Sequence, residues 1–167
     1  MVPMNVLTLV AAAAPSPSIL VLQPDEKPVE HGKSRVVPIY VGVVEALNLG
    51  AALEHAKFGR PTTHDLMLDA FTNLDATVDH VLINDVKDST FFARLTLAQH
   101  DRLIDLDARP SDAIALAIRQ SAPIYIDEDV LERASFPYLY KTPFSEEAAV
   151  NDFRDFLENL SPEDFLE

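Results

Sequence analysis

The chain has 167 residues, 48% hydrophobic and 24% charged, a composition that fits one globular domain, with or without a tail, and not a disordered segment. It has no cysteine, which excludes a disulfide scaffold, a thiolate metal site and a cysteine nucleophile. Its formal net charge is −14, and no glycine follows Gly59, so neither a glycine-rich phosphate loop nor a G-x-S-x-G nucleophile elbow can be written.

The first apolar run, residues 6–14, ends in small side chains but has no preceding Lys or Arg, so it reads as a strand rather than a secretion signal. A turn at Pro15-Ser16-Pro17 leads into a second strand over 19–22, giving a hairpin. Residues 23–34 are polar and carry Pro24, Pro28 and Gly32, the composition of a loop. Residues 35–41 read as a strand in which Pro38 points to an edge or a bulge. The spacing of Leu49, Ala52, Leu53 and Ala56 predicts a helix over 44–57, and Gly50 within it predicts a close backbone contact.

Thr62-x-x-Asp65 is a capping box that opens a second helix, with Met67, Phe71, Leu74 and Val78 as its expected stripe. Two strands follow near 76–84 and 90–98, joined by a turn over 85–89. In the second, Phe91, Ala93, Leu95 and Leu97 alternate with Phe92, Arg94 and Thr96. A third strand spans 102–107, then a helix over 112–120, a strand from Pro123 and a short helix over 127–134. Residues 135–144 read as an irregular strap, and Phe153, Phe156, Leu157 and Leu160 form the stripe of a helix over 146–160. The whole is a mixed α+β fold of the α/β class: one compact domain over 1–134 with a mostly antiparallel mixed sheet packed by helices. Residues 135–167 form a strap and helical tail that packs on the domain or on a partner subunit. No segment is apolar and long enough to cross a bilayer, so a cytoplasmic protein without membrane contact is expected.

Charge is unevenly placed: residues 1–60 are neutral, 61–126 carry −5 and 127–167 carry −9. A polyanion is repelled by such a chain unless a cation or the neutral part mediates. The acidic excess fits salt-rich surroundings as readily as an ordinary cytosol.

Five segments in order resemble the bifunctional nuclease domain family: VPIYVG at 37–42, RPTTHDL at 60–66, DSTFFARL at 88–95, DARPSDAIALA at 107–117 and PIY at 123–125. The resemblance covers about residues 4–134, and the FRDFL and SPEDF stretches of the tail resemble the C-terminal extension of bacterial members. It implies a compact α/β domain that forms homo-oligomers, and an activity on nucleic acid, since plant members are described as cleaving both DNA and RNA.

A phosphodiesterase commonly holds Mg²⁺ or Mn²⁺ on carboxylates. The best constellation is Asp107-x-Arg109-x-x-Asp112, with Asp105 one pleat earlier. Asp105, Asp107 and Asp112 would hold the metal where a strand end meets a helix start, and Arg109 would fork a phosphate. The structural alternative is that Arg109 ties Asp107 to the turn and Asp112 offsets the helix dipole. His64 is the candidate proton acceptor, although it shares a first helical turn with the capping Asp65; Glu45 is a weaker candidate. Phe92 beside Arg94 is a small single-strand-binding signature. No nucleotide cofactor is expected. The reading is therefore a metal-assisted nuclease on DNA and RNA with low sequence specificity, and its alternative is a non-catalytic oligomeric binding or regulatory domain.

Overall fold

The computed structural model describes residues 1–13, 15–25 and 33–139. Within them the chain forms β1 (Val2–Val10), β2 (Ser18–Pro24), β3 (Lys33–Val41), α1 (Val43–Leu53), α2 (Thr63–Asn73), β4 (Ala76–Lys87), β5 (Thr90–Gln99), β6 (Arg102–Ala108), α3 (Pro110–Gln120), β7 (Ile124–Ile126), α4 (Glu128–Ala134) and β8 (Phe136–Leu139). The eight strands make one sheet in the order β6-β5-β4-β7-β1-β2-β3-β8. Only β4 and β7 run parallel among these strands; every other pair is antiparallel. This is the mixed α+β fold expected. The helical tail over 146–160 lies outside the described residues.

The helices share one face of the sheet because the strands send their apolar alternates there. Leu20 and Leu22 of β2, Val37 and Ile39 of β3, Val81 and Ile83 of β4, and Ala93 and Leu95 of β5 meet Leu49 of α1, Ile114 and Leu116 of α3, and Val130 of α4 in a single core. α3 is the most buried helix: five consecutive residues, Ala113 to Ala117, are inaccessible or nearly so. Small alanines let it lie close to both the sheet and α1.

Several local expectations are corrected. α1 ends at Leu53, four residues early, and His55 just beyond adopts a left-handed φ of 48°. The close contact expected at Gly50 is absent; a Cβ there would sit 3.8 Å from Leu9 Cδ2, an ordinary contact. Gly50→Ala is therefore expected to stabilise the protein by about 1 kcal/mol, the helix-interior cost of glycine, read as a higher urea midpoint. The inward face of α2 is His64, Leu68 and Phe71 rather than the Met67/Leu74 stripe, and Leu74 is exposed. Val78 belongs to β4. The β4–β5 connection is tighter than a five-residue turn: pairing continues to Lys87↔Thr90, and Asp88 and Ser89 both take positive φ, as a two-residue primed turn requires. Part of the expected strap is a strand, β8, which pairs with β3 over Lys33–Val36. Pro38 lies past that pairing, where its missing N–H leaves no ladder bond to β8 unmade.

Candidate functional site

The predicted site residues fall into two groups. The first gathers at the start of three helices. Arg109 is the N-cap residue of α3, with Pro110 pre-setting the first helical φ. Its Nε donates to Asp112 Oδ2 at 2.8 Å and its Nη1 to Glu45 Oε1 at 2.7 Å, so one guanidinium bridges α1 and α3. His64 of α2 places Nε2 3.3 Å from the other Asp112 oxygen, Oδ1. Glu45 folds back over its own helix start. Its backbone N–H and then Arg109 hold its carboxyl below the ordinary glutamate range, and Asp112 and then Glu45 push the Arg109 guanidinium up. A Cβ at Gly42 would meet the Glu45 carboxylate, so glycine at this N-cap leaves the room that the fold-back uses.

This group is a clasp. Arg109 pairs with Asp112 and Glu45, not with Asp107. Both carboxylates already have a cation. His64 turns neither nitrogen outward: Nε2 faces Asp112, and Nδ1 is buried without a hydrogen-bond partner among the described residues. A proton acceptor must reach the proton it takes, and this imidazole reaches only α3. Arg109 is 65% exposed, so the pair energies are small, up to about 1 kcal/mol each. The clasp's effect is to fix how three helix starts meet.

The second group lies on the opposite face of the sheet. Antiparallel register sets Arg94 against Asp107 and Thr96 against Asp105, and the bulge between Ile83 and Asp85 brings Asp85 opposite Phe92. These strands enclose an open groove of about 400 Å³ lined by Asn84, Asp85, Lys87, Phe92, Arg94 and the β6 residues Asp105 to Asp107. Thr96 Oγ1 donates to Asp105 Oδ1 at 2.8 Å, and Arg94 Nη1 lies 3.8 Å from Asp105 Oδ2, a loose pair open to exchange. Lys87 Nζ sits 2.9 Å from Asp85 and 5.6 Å from the centre of the Phe92 ring. Lys87 and then Arg133 hold the Asp85 carboxyl below its ordinary range. Asn84 Oδ1 is buried without a partner among the described residues, an acceptor that a bound donor would satisfy.

The structure thus brings Asp105 and Asp107 together on one strand face and sends Asp112 to the clasp. Among the described residues no three His, Cys, Asp or Glu side chains are placed to hold a metal ion in common. The Asp105/Asp107/Asp112 set does not fit a metal as a trio. A carboxylate pair still suits a hydrated Mg²⁺, which needs only one or two protein carboxylates when water and substrate phosphate complete its shell. Asp85 and Lys87 fall within the turn expected over 85–89; the short turn at Asp88-Ser89 instead extends β4 and carries both into the groove.

An eight-stranded, mostly antiparallel α+β domain with a charged groove on its helix-free face defines the class. The chain belongs to the bifunctional nuclease domain family, whose sequence profile matches residues 28–138 and so contains both groups. It is 37% identical over 158 residues to an uncharacterised protein of Mycobacterium tuberculosis, a match covering 88% of this chain and 93% of that one. It is 27% identical over 128 residues to bifunctional nuclease 1 of Oryza sativa subsp. indica, covering 75% of this chain and 39% of the plant protein. Against bifunctional nuclease 2 of Oryza sativa subsp. japonica the identity is 30% over 117 residues, covering 68% and 34%. The plant proteins are much longer than the shared portion. No helix among the described residues is long and apolar enough to cross a membrane.

Proposed function

We propose that this chain is a nuclease of low sequence specificity that takes single-stranded DNA and RNA across the β4–β5–β6 groove. The observation that carries the reading is one open patch holding two cations (Lys87 and Arg94), a ring that is 38% exposed (Phe92) and two carboxylates of a single strand face (Asp105 and Asp107). Arg94 and Lys87 meet phosphates, and Phe92 offers a stacking face that any base can use. Neither contact reads a base edge, which accounts for low specificity.

The groove's three acids, Asp85, Asp105 and Asp107, exceed its two bases, Lys87 and Arg94, by one charge. In a chain of net charge −14 this demands a counter-cation before a polyanion can settle. Asp105 and Asp107 would hold Mg²⁺ or Mn²⁺, which when bound supplies Lewis-acid charge neutralisation at the phosphate. Thr96 fixes one Asp105 oxygen and leaves the other facing Arg94, so the carboxylate is oriented before a ligand arrives.

The test is cleavage of end-labelled single-stranded DNA and RNA with Mg²⁺, with Mn²⁺ and with chelator. Asp105→Asn/Asp107→Asn is expected to lose at least about 100-fold in rate while binding the oligonucleotide as well as or better than the parent, because two repelling charges are gone. Asp112→Asn is expected to stay within about threefold of the parent, since an exposed clasp pair contributes little. Full cleavage in chelator, or loss confined to Asp112→Asn, contradicts the assignment. Binding without cleavage under every metal condition favours a non-catalytic nucleic-acid-binding domain.

A further inference from the structure

The helix-free face is polar at the groove end and apolar at the other. There, Val21 of β2 and Val36 of β3 form a second cluster with Leu7, Ile19 and Phe136 around them. Both valines have no exposed surface at all. Cross-strand neighbours shield the flanks of a sheet residue but not its top, so complete burial requires a covering layer. α1, α3 and α4 send their buried side chains to the first core, as α2 does its partly buried Leu68 and Phe71, and none joins the second cluster. Among the described residues no element lies over this face.

Within the chain two stretches of length remain. Residues 26–32 (EKPVEHG) contain a single large apolar side chain, Val29, too little to seal a face. Residues 140–167 contain the stripe Phe153, Phe156, Leu157 and Leu160 and follow directly from β8, the edge strand that pairs with β3 at Val36↔Phe136. Four strands, β8-β3-β2-β1, present a face about 15 Å wide at the usual strand spacing. A helix over 146–160 would be about 22 Å long, enough to cross it. The six residues before it can span up to about 20 Å, enough to turn back over the sheet.

We propose that the apolar stripe of the C-terminal segment docks on the Val21/Val36 face of its own chain and forms a second layer there. The polar side of the same segment then carries its charge outward. Residues 140–167 hold eight acids and two bases, a net of −6, and docking sets that charge beside the groove's end of the same sheet face. The segment so placed seals the apolar half and leaves the polar half to ligands.

The absence of cysteine makes a clean experiment. In the full chain, Ile19→Cys is paired in turn with a single cysteine at each position from 150 to 161, and disulfides are formed under mild oxidation. The expected result is cross-linking within one chain, maximal at 153, 156, 157 and 160 and weak at the positions between. A separate variant, Val21→Cys, reports access: its thiol is expected to react with a disulfide reagent at least tenfold faster when Phe153→Glu/Phe156→Glu is added. Cross-links that join two chains assign the cover to a second copy and overturn the proposal. So does cross-linking without helical period, or a Val21→Cys thiol whose reactivity ignores the tail substitutions.

Discussion

Arg94→Ala/Lys87→Ala is expected to weaken binding of a single-stranded oligonucleotide roughly tenfold or more at low salt, and to lower the slope of log affinity against log salt by about 1.4, or 0.7 for each phosphate no longer neutralised. The weakening exceeds what the removal of two cations alone would give. Arg94 lies 3.8 Å from Asp105, so its loss also bares that carboxylate toward the incoming phosphate, whereas Asp85, 2.9 Å from Lys87, keeps Arg133 at 3.2 Å. Phe92→Ala should behave differently. It removes a stacking face worth about 1–3 kcal/mol and leaves the salt slope unchanged. Titrations at three or four salt concentrations separate the two effects. Equal slopes for the double variant and the parent would place the phosphate-binding cations elsewhere.

The largest stability effect is expected at Asp65. Thr62 and Asp65 form a reciprocal capping box, with Thr62 N donating to Asp65 Oδ2 at 2.8 Å. The remaining oxygen, Oδ1, accepts from Arg119 Nη1 at 2.8 Å. Arg119 is only 11% exposed, and its Nε is buried without a partner among the described residues, so Asp65 carries most of the compensation for that charge. Asp65→Ala should cost about 2–4 kcal/mol: roughly 1 for the cap and the rest for a guanidinium left in the α2–α3 interface. For a chain of this size that lowers the melting temperature by roughly 5–15 °C.

The pH dependence has a definite sign. The Thr62 backbone N–H, the Thr62 hydroxyl and then Arg119 hold the Asp65 carboxyl below its ordinary range. A carboxyl whose pKa is depressed by folding adds stability above its unfolded value and gives it up as pH falls through the folded one. The gap between parent and Asp65→Ala in urea unfolding should therefore narrow below about pH 4. A gap constant from pH 7 to pH 3 would mean that the ionised carboxylate contributes nothing.

The elements that were legible in the sequence are those whose signals are local. The Thr62-x-x-Asp65 box starts α2 at the expected residue, and the alternation of Phe91 to Leu97 gives β5 its two faces. The α2 stripe was misplaced because Met67 and Phe71 are spaced as well as Leu68 and Phe71; only packing against α3 and the sheet selects the face that starts at His64. The clasp was half legible. Asp112 and Arg109 lie three residues apart, whereas Glu45 joins them across 64 residues, a choice made by the docking of α1 on α3. The groove needed register. Nothing local says that Arg94 opposes Asp107, or that Lys87 stands beside Phe92; those neighbours follow from where the two-residue turn and the bulges set the ladder.

The most direct test of the groove is to titrate the isotopically labelled protein with a short single-stranded oligonucleotide in the presence of Mg²⁺ and follow backbone amide shifts. The largest shifts are expected at Lys87, Phe92, Arg94 and Asp107, with those of His64 and Asp112 nearly still. Shifts centred on the Glu45–Arg109–Asp112 clasp, with the β4–β6 face unmoved, would contradict the groove assignment.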